Sequence, residues 1–166
     1  QKLIQKVGLK QPKSDISLGT KELVTKSSKL KFPILLRPSY VLGGRMMEKM
    51  ANLDDVQDYI DQNYWALENN VILIDEFLQN AKEVDVDVLR DNQGNTMIAG
   101  IMEHIEEAGI HSGDSACSIP PFSLNDNIIS DIKKFSISIA SELNILGLMN
   151  IQYAIKDEEI FILEAN

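Results

Sequence analysis

The spacing of apolar and polar positions changes period several times along the chain, and each change predicts an element. Residues 1–19 carry Lys, Gln, Pro and Gly with little periodicity and read as a lead-in segment with no core of its own. "TKELVTKSSKL" sets Leu23, Val24 and Leu30 among polar residues, which suits a short amphipathic helix. "KFPILLRPS" reads as a strand, with Pro33 near its start and Pro38 near its end, where a missing N–H is tolerated. A Gly-Gly pair then turns the chain into "RMMEKM", the returning strand.

From Asn52 the period becomes helical: Asn52 can cap, Asp54 and Asp55 fall in the first turn, and Val56, Tyr59, Ile60 and Asn63 recur at helix spacing. "NNVILIDEFL" is a short apolar run of buried-strand type. "KEVDVDVLRD" alternates, with Val84, Val86 and Val88 on one face and Glu83, Asp85 and Asp87 on the other. "NQGN" is a turn, so this strand and "TMIAGIMEHIE" predict an antiparallel hairpin. "EAGIHSGDSACSIPPFS" reads as a loop. In "NDNIISDIKKFSISIASELNILG", Ile128, Ile132, Phe135, Ile139 and Leu143 form one helical stripe, and Gly147 is placed to end it. A last hairpin joins "MNIQYAIK" to "IFILEAN" through Asp157, Glu158 and Glu159.

Composition narrows this picture. A chain of 166 residues with 44% apolar content can build one sizeable core or two small lobes sharing a cleft. The sequence shows neither an apolar run of about 18 residues nor a charged-then-apolar leader, so no membrane partner is expected. With a single cysteine, Cys117, and no internal disulfide possible, the expected location is cytoplasmic. The chain begins at Gln1 without a Met and stops at Asn166 inside an apolar strand pattern, as a piece of something longer would. A net charge of −9 argues against a nucleic-acid partner, which needs Lys and Arg along a groove. An anionic ligand would have to be held locally, by a few arginines, backbone N–H groups and a bound cation.

Four places carry candidate chemistry. In "RPSYVLGGR", Gly43 and Gly44 accept a tight turn and leave backbone N–H groups open to a phosphate, with Arg37 and Arg45 alongside; the alternative is an ordinary hairpin turn with two solvated arginines. On the last hairpin, alternation puts Asn150, Gln152 and Ala154 on one face of a strand and Glu164 and Asn166 on one face of its partner. Gln152, Glu164 and Asn166 would offer oxygen alone to a small hard cation such as Mg²⁺, unless they are simply a polar strand end. "AGIHSGDSACS" has the small residues of a loop that approaches a ligand, and His111 or Ser112 would touch a ribose or phosphate; otherwise it is a surface loop. Within it, Cys117 and His111 as a nucleophile pair, or His104 and His111 as zinc ligands, lack the spacing or the further ligands those sites need. Glu83 begins the alternating strand on its polar face, either as a carboxylate for sugar hydroxyls or as part of a solvated face with Asp85 and Asp87.

Taken in order, "RPSYVLGGR", "LIDEFL", "EVDVDVLRD", "GIMEHIEEAGIHSGDSACSIP", "GLMNIQYAIK" and "ILEAN" resemble the ATP-grasp domain of the carbamoyl-phosphate synthase large subunit. "MEHIEEAGIHSGDSACSIP" looks more like the second homologous half of that subunit, which phosphorylates carbamate, than the first, which phosphorylates bicarbonate. The resemblance implies an α+β ATP-grasp fold of two α/β lobes with mainly antiparallel sheets and the nucleotide between them. It divides the chain into the lead-in at 1–19, a small lobe with a glycine-rich phosphate lid at 20–74, and a larger lobe with the metal site at 75–166, truncated at its C-terminus.

By the same resemblance Arg37 and Arg45 meet the ATP phosphates as catalytic arginines, and Gly43 and Gly44 form the lid. The backbone from Glu76 to Leu78 receives adenine, Glu83 takes the ribose, and Gly109, Ile110, His111 and Ser112 line the nucleotide. Gln152, Glu164 and Asn166 hold Mg²⁺ or Mn²⁺, with Gln152 and Glu164 also facing ATP. The implied partners are ATP, carbamate or bicarbonate, the rest of the large subunit, and a glutaminase small subunit that supplies ammonia. The family's pattern continues into Pro-Arg after the Asn matched by Asn166 and includes a further arginine upstream of Gln1; without them the 166 residues alone are expected to be inactive. Ala165 stands where the family commonly has Val. A different ATP-grasp ligase, of biotin carboxylase or purine-pathway type, would share the metal residues but not "HSGDSACS". A non-catalytic nucleotide-binding or interaction domain would bind nucleotide without metal dependence.

Overall fold

The computed structural model describes residues 2–39, 46–106, 108 and 115–166. The chain divides into two compact units, one made of Gln1–Gln11 with Asn80–Asn166 and the other of Pro12–Gln79. Residues 1–19 therefore are not a coreless lead-in. Helix α1 (Lys2–Val7) belongs to the first unit and strand β1 (Ser14–Leu18) to the second. Leu9 is buried in the first unit's core, with Ile4 and Val7 packed against it. A segment this short hides its few apolar residues from a window-based reading, because its partners lie far away in sequence.

In the Pro12–Gln79 unit, β1, helix α2 (Leu23–Ser27), β2 (Ile34–Pro38), β3 (Glu48–Met50), helix α3 (Leu53–Leu67) and β4 (Val71–Glu76) form a sheet in the order β1-β4-β2-β3, every pair antiparallel, with two helices against it. Alternate residues Ile34 and Leu36 of β2 and Ile72 and Ile74 of β4 are fully buried against Val56, Tyr59 and Leu67 of α3. Asn52 caps α3 as expected, its side chain accepting from the N–H groups of Asp54 and Asp55.

The other unit carries a five-stranded antiparallel sheet in the order β7-β6-β5-β8-β9. Its strands are β5 (Lys82–Arg90), β6 (Thr96–His104), β7 (Cys117–Ser118), β8 (Gly147–Lys156) and β9 (Glu159–Ala165), and α4 (Asp126–Glu142) packs on its apolar face. Val84, Val86 and Val88 meet Ile132 and Ile139 there, as the alternation and the helical stripe predict. Gly147 does not end α4. The stop is Asn144, in the left-handed region at φ 49°, with Asn144 N–H donating to Ser141 and Ile145 N–H to Ala140, the paired bonds of a Schellman motif. Asn tolerates this conformation, so the helix closes a turn earlier than the glycine rule suggests, and Leu143 is left exposed. The resulting α+β architecture, with antiparallel sheets, is the class that the resemblance implies.

Candidate functional site

The face of the five-stranded sheet turned away from α4 is built from polar residues whose register aligns them. Asp85 on β5 lies opposite Gln152 on β8, and Gln152 lies opposite Glu164 on β9. One step along, Asp87 is opposite Asn150, and Asn150 Nδ2 donates to Asp87 Oδ1 at 2.9 Å. Asn150 and Asn166 exchange backbone hydrogen bonds at 2.9 Å in both directions, so Asn166 closes the same row. Directly opposed residues of an antiparallel pair share a face. Gln152, Glu164 and Asn166 thus occupy one patch.

The placement of Glu164 depends on an irregularity that alternation does not reveal. Ile160 and Ile162 face the core, so strict alternation would send Glu164 into the core as well. Between Gln152 and Tyr153 the β8–β9 register shifts, leaving Leu163 as the extra residue of a bulge. The bulge turns Glu164 onto the polar face while Ile162 stays opposite Tyr153 in the core.

This donor set suits a hard cation by its chemistry: an amide oxygen from Gln152, a carboxylate from Glu164 and an amide oxygen from Asn166. Among the described residues no group of three or more His, Cys, Asp and Glu could hold a metal by itself. A cation here would need water or phosphate oxygens to complete its shell, which is the habit of Mg²⁺.

Glu83 and Asp85, on the same face, are not solvated. They are 7% and 8% exposed, so this face is closed at its β5 end. Glu83 lies opposite Ala154, a buried small residue. His104, buried on β6, approaches Asp85 Oδ2 with Nε2 at 2.7 Å. The other carboxylate oxygen, Asp85 Oδ1, is buried and has no hydrogen-bond partner among the described residues.

The polar face is backed by Glu103, whose side chain lies on the core side beside Val84. At 1% exposure Glu103 accepts from the N–H groups of Phe122 and Ser123, at 3.0 and 2.9 Å, and from the Ser123 hydroxyl, while Lys82 Nζ donates to the same hydroxyl at 2.6 Å. Ile105 N–H donates to Ala116 O, and Ala116 N–H to Glu106 Oε2, which ties Ile105 and Glu106 to Ala116. Cys117 is opposite His104 on the neighbouring strand. Partial burial, then the carboxylates of Asp85, Glu106 and Glu83, push its thiol pKa up, so it stays protonated at neutral pH and is a poor nucleophile.

In the other unit, Arg37 on β2 is held by Asp75 of the adjacent β4: Arg37 Nε and Nη2 both reach Asp75 Oδ2, at 2.8 and 2.7 Å. Both donors converge on one oxygen, which fixes the guanidinium plane. The N–H groups of Glu76 and Phe77 donate to Lys13 O and Pro33 O, and the Glu76 carboxylate accepts from Lys31 N–H. Glu76 and Leu78 are half-buried in a backbone segment held from both sides.

Of the remaining predicted residues, Gly43, Gly44, Arg45, Gly109, Ile110, His111 and Ser112 lie outside the described residues. Of the other polar residues here, the sequence marked Asn150 only as a member of the strand face, Asp85 and Asp87 only as a solvated face and His104 only as an incomplete zinc set, and it did not mark Asp75. For Asp85 and Asp87 the signal was present, since they alternate in phase with Glu83. For Asp75 and His104 it was not, because their partners come from other strands.

Two antiparallel units, one carrying a carboxylate-and-amide face on its terminal hairpin, define an ATP-grasp fold. The chain is similar over 99% of its length to N5-carboxyaminoimidazole ribonucleotide synthetase in an ADP complex, at TM-score 0.83, 20% identity and 42% of that chain. It is similar over 99% to Bacillus anthracis D-alanine–D-alanine ligase complexed with ATP (TM-score 0.73, 15% identity, 52% of that chain) and to a Campylobacter jejuni biotin carboxylase complex (0.75, 16%, 38%). The family model described as carbamoyl-phosphate synthase L chain, ATP binding domain, matches residues 1–166, and the chain belongs to that family. The carbamoyl phosphate synthase large chain of Synechocystis sp. is 46% identical over 166 residues, 100% of this chain and 15% of the relative. That of Neisseria meningitidis serogroup B is 42% identical with the same coverage. The chain spans 15% of the length of these two relatives.

Proposed function

We propose that these 166 residues bind Mg²⁺-ATP as part of a carbamoyl-phosphate synthase large chain and serve the phosphorylation of carbamate. The observation that carries this reading is the register that sets Gln152 opposite Glu164 and Asn150 opposite Asn166 on one polar face. Gln152, Glu164 and Asn166 would hold Mg²⁺ or Mn²⁺, which when bound would neutralise phosphate charge as it develops. Glu83, at the closed end of that face, would accept the ribose hydroxyls. Arg37, fixed by Asp75, would meet phosphate oxygens, and the backbone from Glu76 to Leu78 would take adenine. Gly43, Gly44 and Arg45 would supply the phosphate lid, and Gly109, Ile110, His111 and Ser112 the loop along the nucleotide.

In the reaction a carbamate oxygen attacks the γ-phosphorus, the bond from that phosphorus to the bridging oxygen breaks, and ADP leaves with carbamoyl phosphate as product. The chain contributes positioning and charge neutralisation, with no covalent enzyme intermediate. The carbamate would come from the rest of the large chain, acting with a glutaminase subunit, in the cytoplasm. Among the described residues no helix is long and apolar enough to cross a membrane.

The test is ATP formation from carbamoyl phosphate and ADP by the full-length parent chain. Glu164→Gln and Gln152→Ala should each lower it by about a hundredfold or more. Bicarbonate-dependent ATP hydrolysis should be retained if this segment serves carbamate rather than bicarbonate. Near-normal ATP formation in both variants would overturn the assignment.

A further inference from the structure

Asp85 stands where a metal-facing amide needs support. A glutamine side chain ends in an oxygen and an NH₂ group that differ little in shape, so nothing in Gln152 itself decides which of the two is presented to a cation. Only the oxygen can ligate. A buried acceptor beside the NH₂ group would settle the orientation, and the structure holds one: Asp85 lies directly opposite Gln152 across the β5–β8 pair, on the same face, and its Oδ1 is buried without a partner among the described residues. Side chains so opposed have their Cβ atoms roughly 5 Å apart, within reach of one hydrogen bond between a Gln and an Asp. The other oxygen, Oδ2, is occupied by His104 Nε2 at 2.7 Å, which holds the carboxylate in place from the next strand. A buried carboxylate oxygen without a donor is costly, and the Gln152 NH₂ group is a donor within reach of it.

We propose that Asp85 is a positioning residue: anchored by His104, it accepts a hydrogen bond from Gln152 Nε2 and thereby turns Gln152 Oε1 toward the cation. This rests on the reading of Gln152 as a metal ligand. The relay runs from His104 through Asp85 and Gln152, across three adjacent strands of one sheet, and Asp85 does not itself touch the metal.

The experiment measures Mn²⁺ affinity in the presence of ADP, from the electron paramagnetic resonance signal of free Mn²⁺, with metal-free ADP affinity and thermal unfolding as controls. Asp85→Ala should weaken Mn²⁺ binding about 10- to 100-fold, as loss of a ligand's supporting partner commonly does, and leave metal-free ADP affinity unchanged. Gln152→Ala should weaken it at least as much, and the double variant should be no weaker than Gln152→Ala alone, because Asp85 acts through Gln152. Asp85→Asn keeps an oxygen for the amide and should stay near the wild-type affinity. Asp85→Leu, which fills the space without accepting, replaces the alanine variant if that fails to fold. Additive losses in the double variant, or an Asp85→Asn variant as weak as Asp85→Ala, would overturn the proposal in favour of bulk packing or direct charge attraction. If Gln152→Ala weakens Mn²⁺ and Asp85→Ala does not, the positioning role alone falls. If Gln152→Ala binds Mn²⁺ as well as the wild type, the metal reading falls and takes the positioning role with it.

Discussion

Tyr153 shows how single residues divide the sheet into a dry face and a polar face. Its ring is fully buried under α4 and its hydroxyl lies 2.9 Å from Ser136 Oγ. Burial pushes its pKa up to about 12, and the Ser136 hydrogen bond offsets part of that. The folded value is raised above the ordinary one near 10, so the folded state keeps its proton where the unfolded state loses it. The associated stability is complete below about pH 10 and is lost as pH rises toward about 12, a total on the order of 2–3 kcal/mol. Urea midpoints from pH 8 to 12 should fall steeply above 10, and Tyr153→Phe should flatten the fall at a loss of about 1 kcal/mol near neutrality. Equal slopes in the two proteins would contradict this. On the polar face, the position of Gln152 was legible because β8 alternates regularly. Glu164 was legible as a residue but not as a position: only the bulge at Leu163 keeps it out of the core, and no turn residue in "IFILEAN" announces that bulge. The burial of Glu83 and Asp85 was not legible either, since alternation gives a face but not what closes over it.

Elements were readable where their period was self-contained. α3 follows from its cap and its stripe, α4 from its stripe alone, and β5 with β6 from alternation around a turn. α1 and β1 were missed because each is short and is stabilised by residues distant in sequence: β1 pairs with β4, from Ser14 opposite Asp75 to Leu18 opposite Val71. The link from β1 to α2 makes this dependence testable. Gly19 has φ 69°, and a Cβ there would lie 2.0 Å from the carbonyl oxygen of Glu68 at the end of α3, while Gly19 N–H donates to Asn70 O. Neither the φ nor the backbone contact can be relieved by a side-chain rotation. Gly19→Ala should destabilise the Pro12–Gln79 unit by more than about 2 kcal/mol, seen as a lowered melting temperature and faster amide exchange in β1 and β4. By contrast, Gly147→Ala meets no atom within 4 Å, and its cost should be limited to the strain of φ 96°.

The whole chain carries a net charge of −9, and the ligand proposed for it is a polyanion. Long-range attraction cannot account for such binding; on the proposed reading, a cation at Gln152, Glu164 and Asn166 would have to outweigh the field of the other carboxylates. The account therefore stands on metal dependence more than on any single contact. The most direct measurement is calorimetric titration of the chain with ATP in excess Mg²⁺ and again in excess EDTA, repeated with Glu164→Gln. Binding in Mg²⁺ that weakens about tenfold or more in EDTA, with the difference abolished by Glu164→Gln, is the predicted result. Equal affinity with and without Mg²⁺, or no heat of binding at millimolar ATP in either buffer, would contradict it.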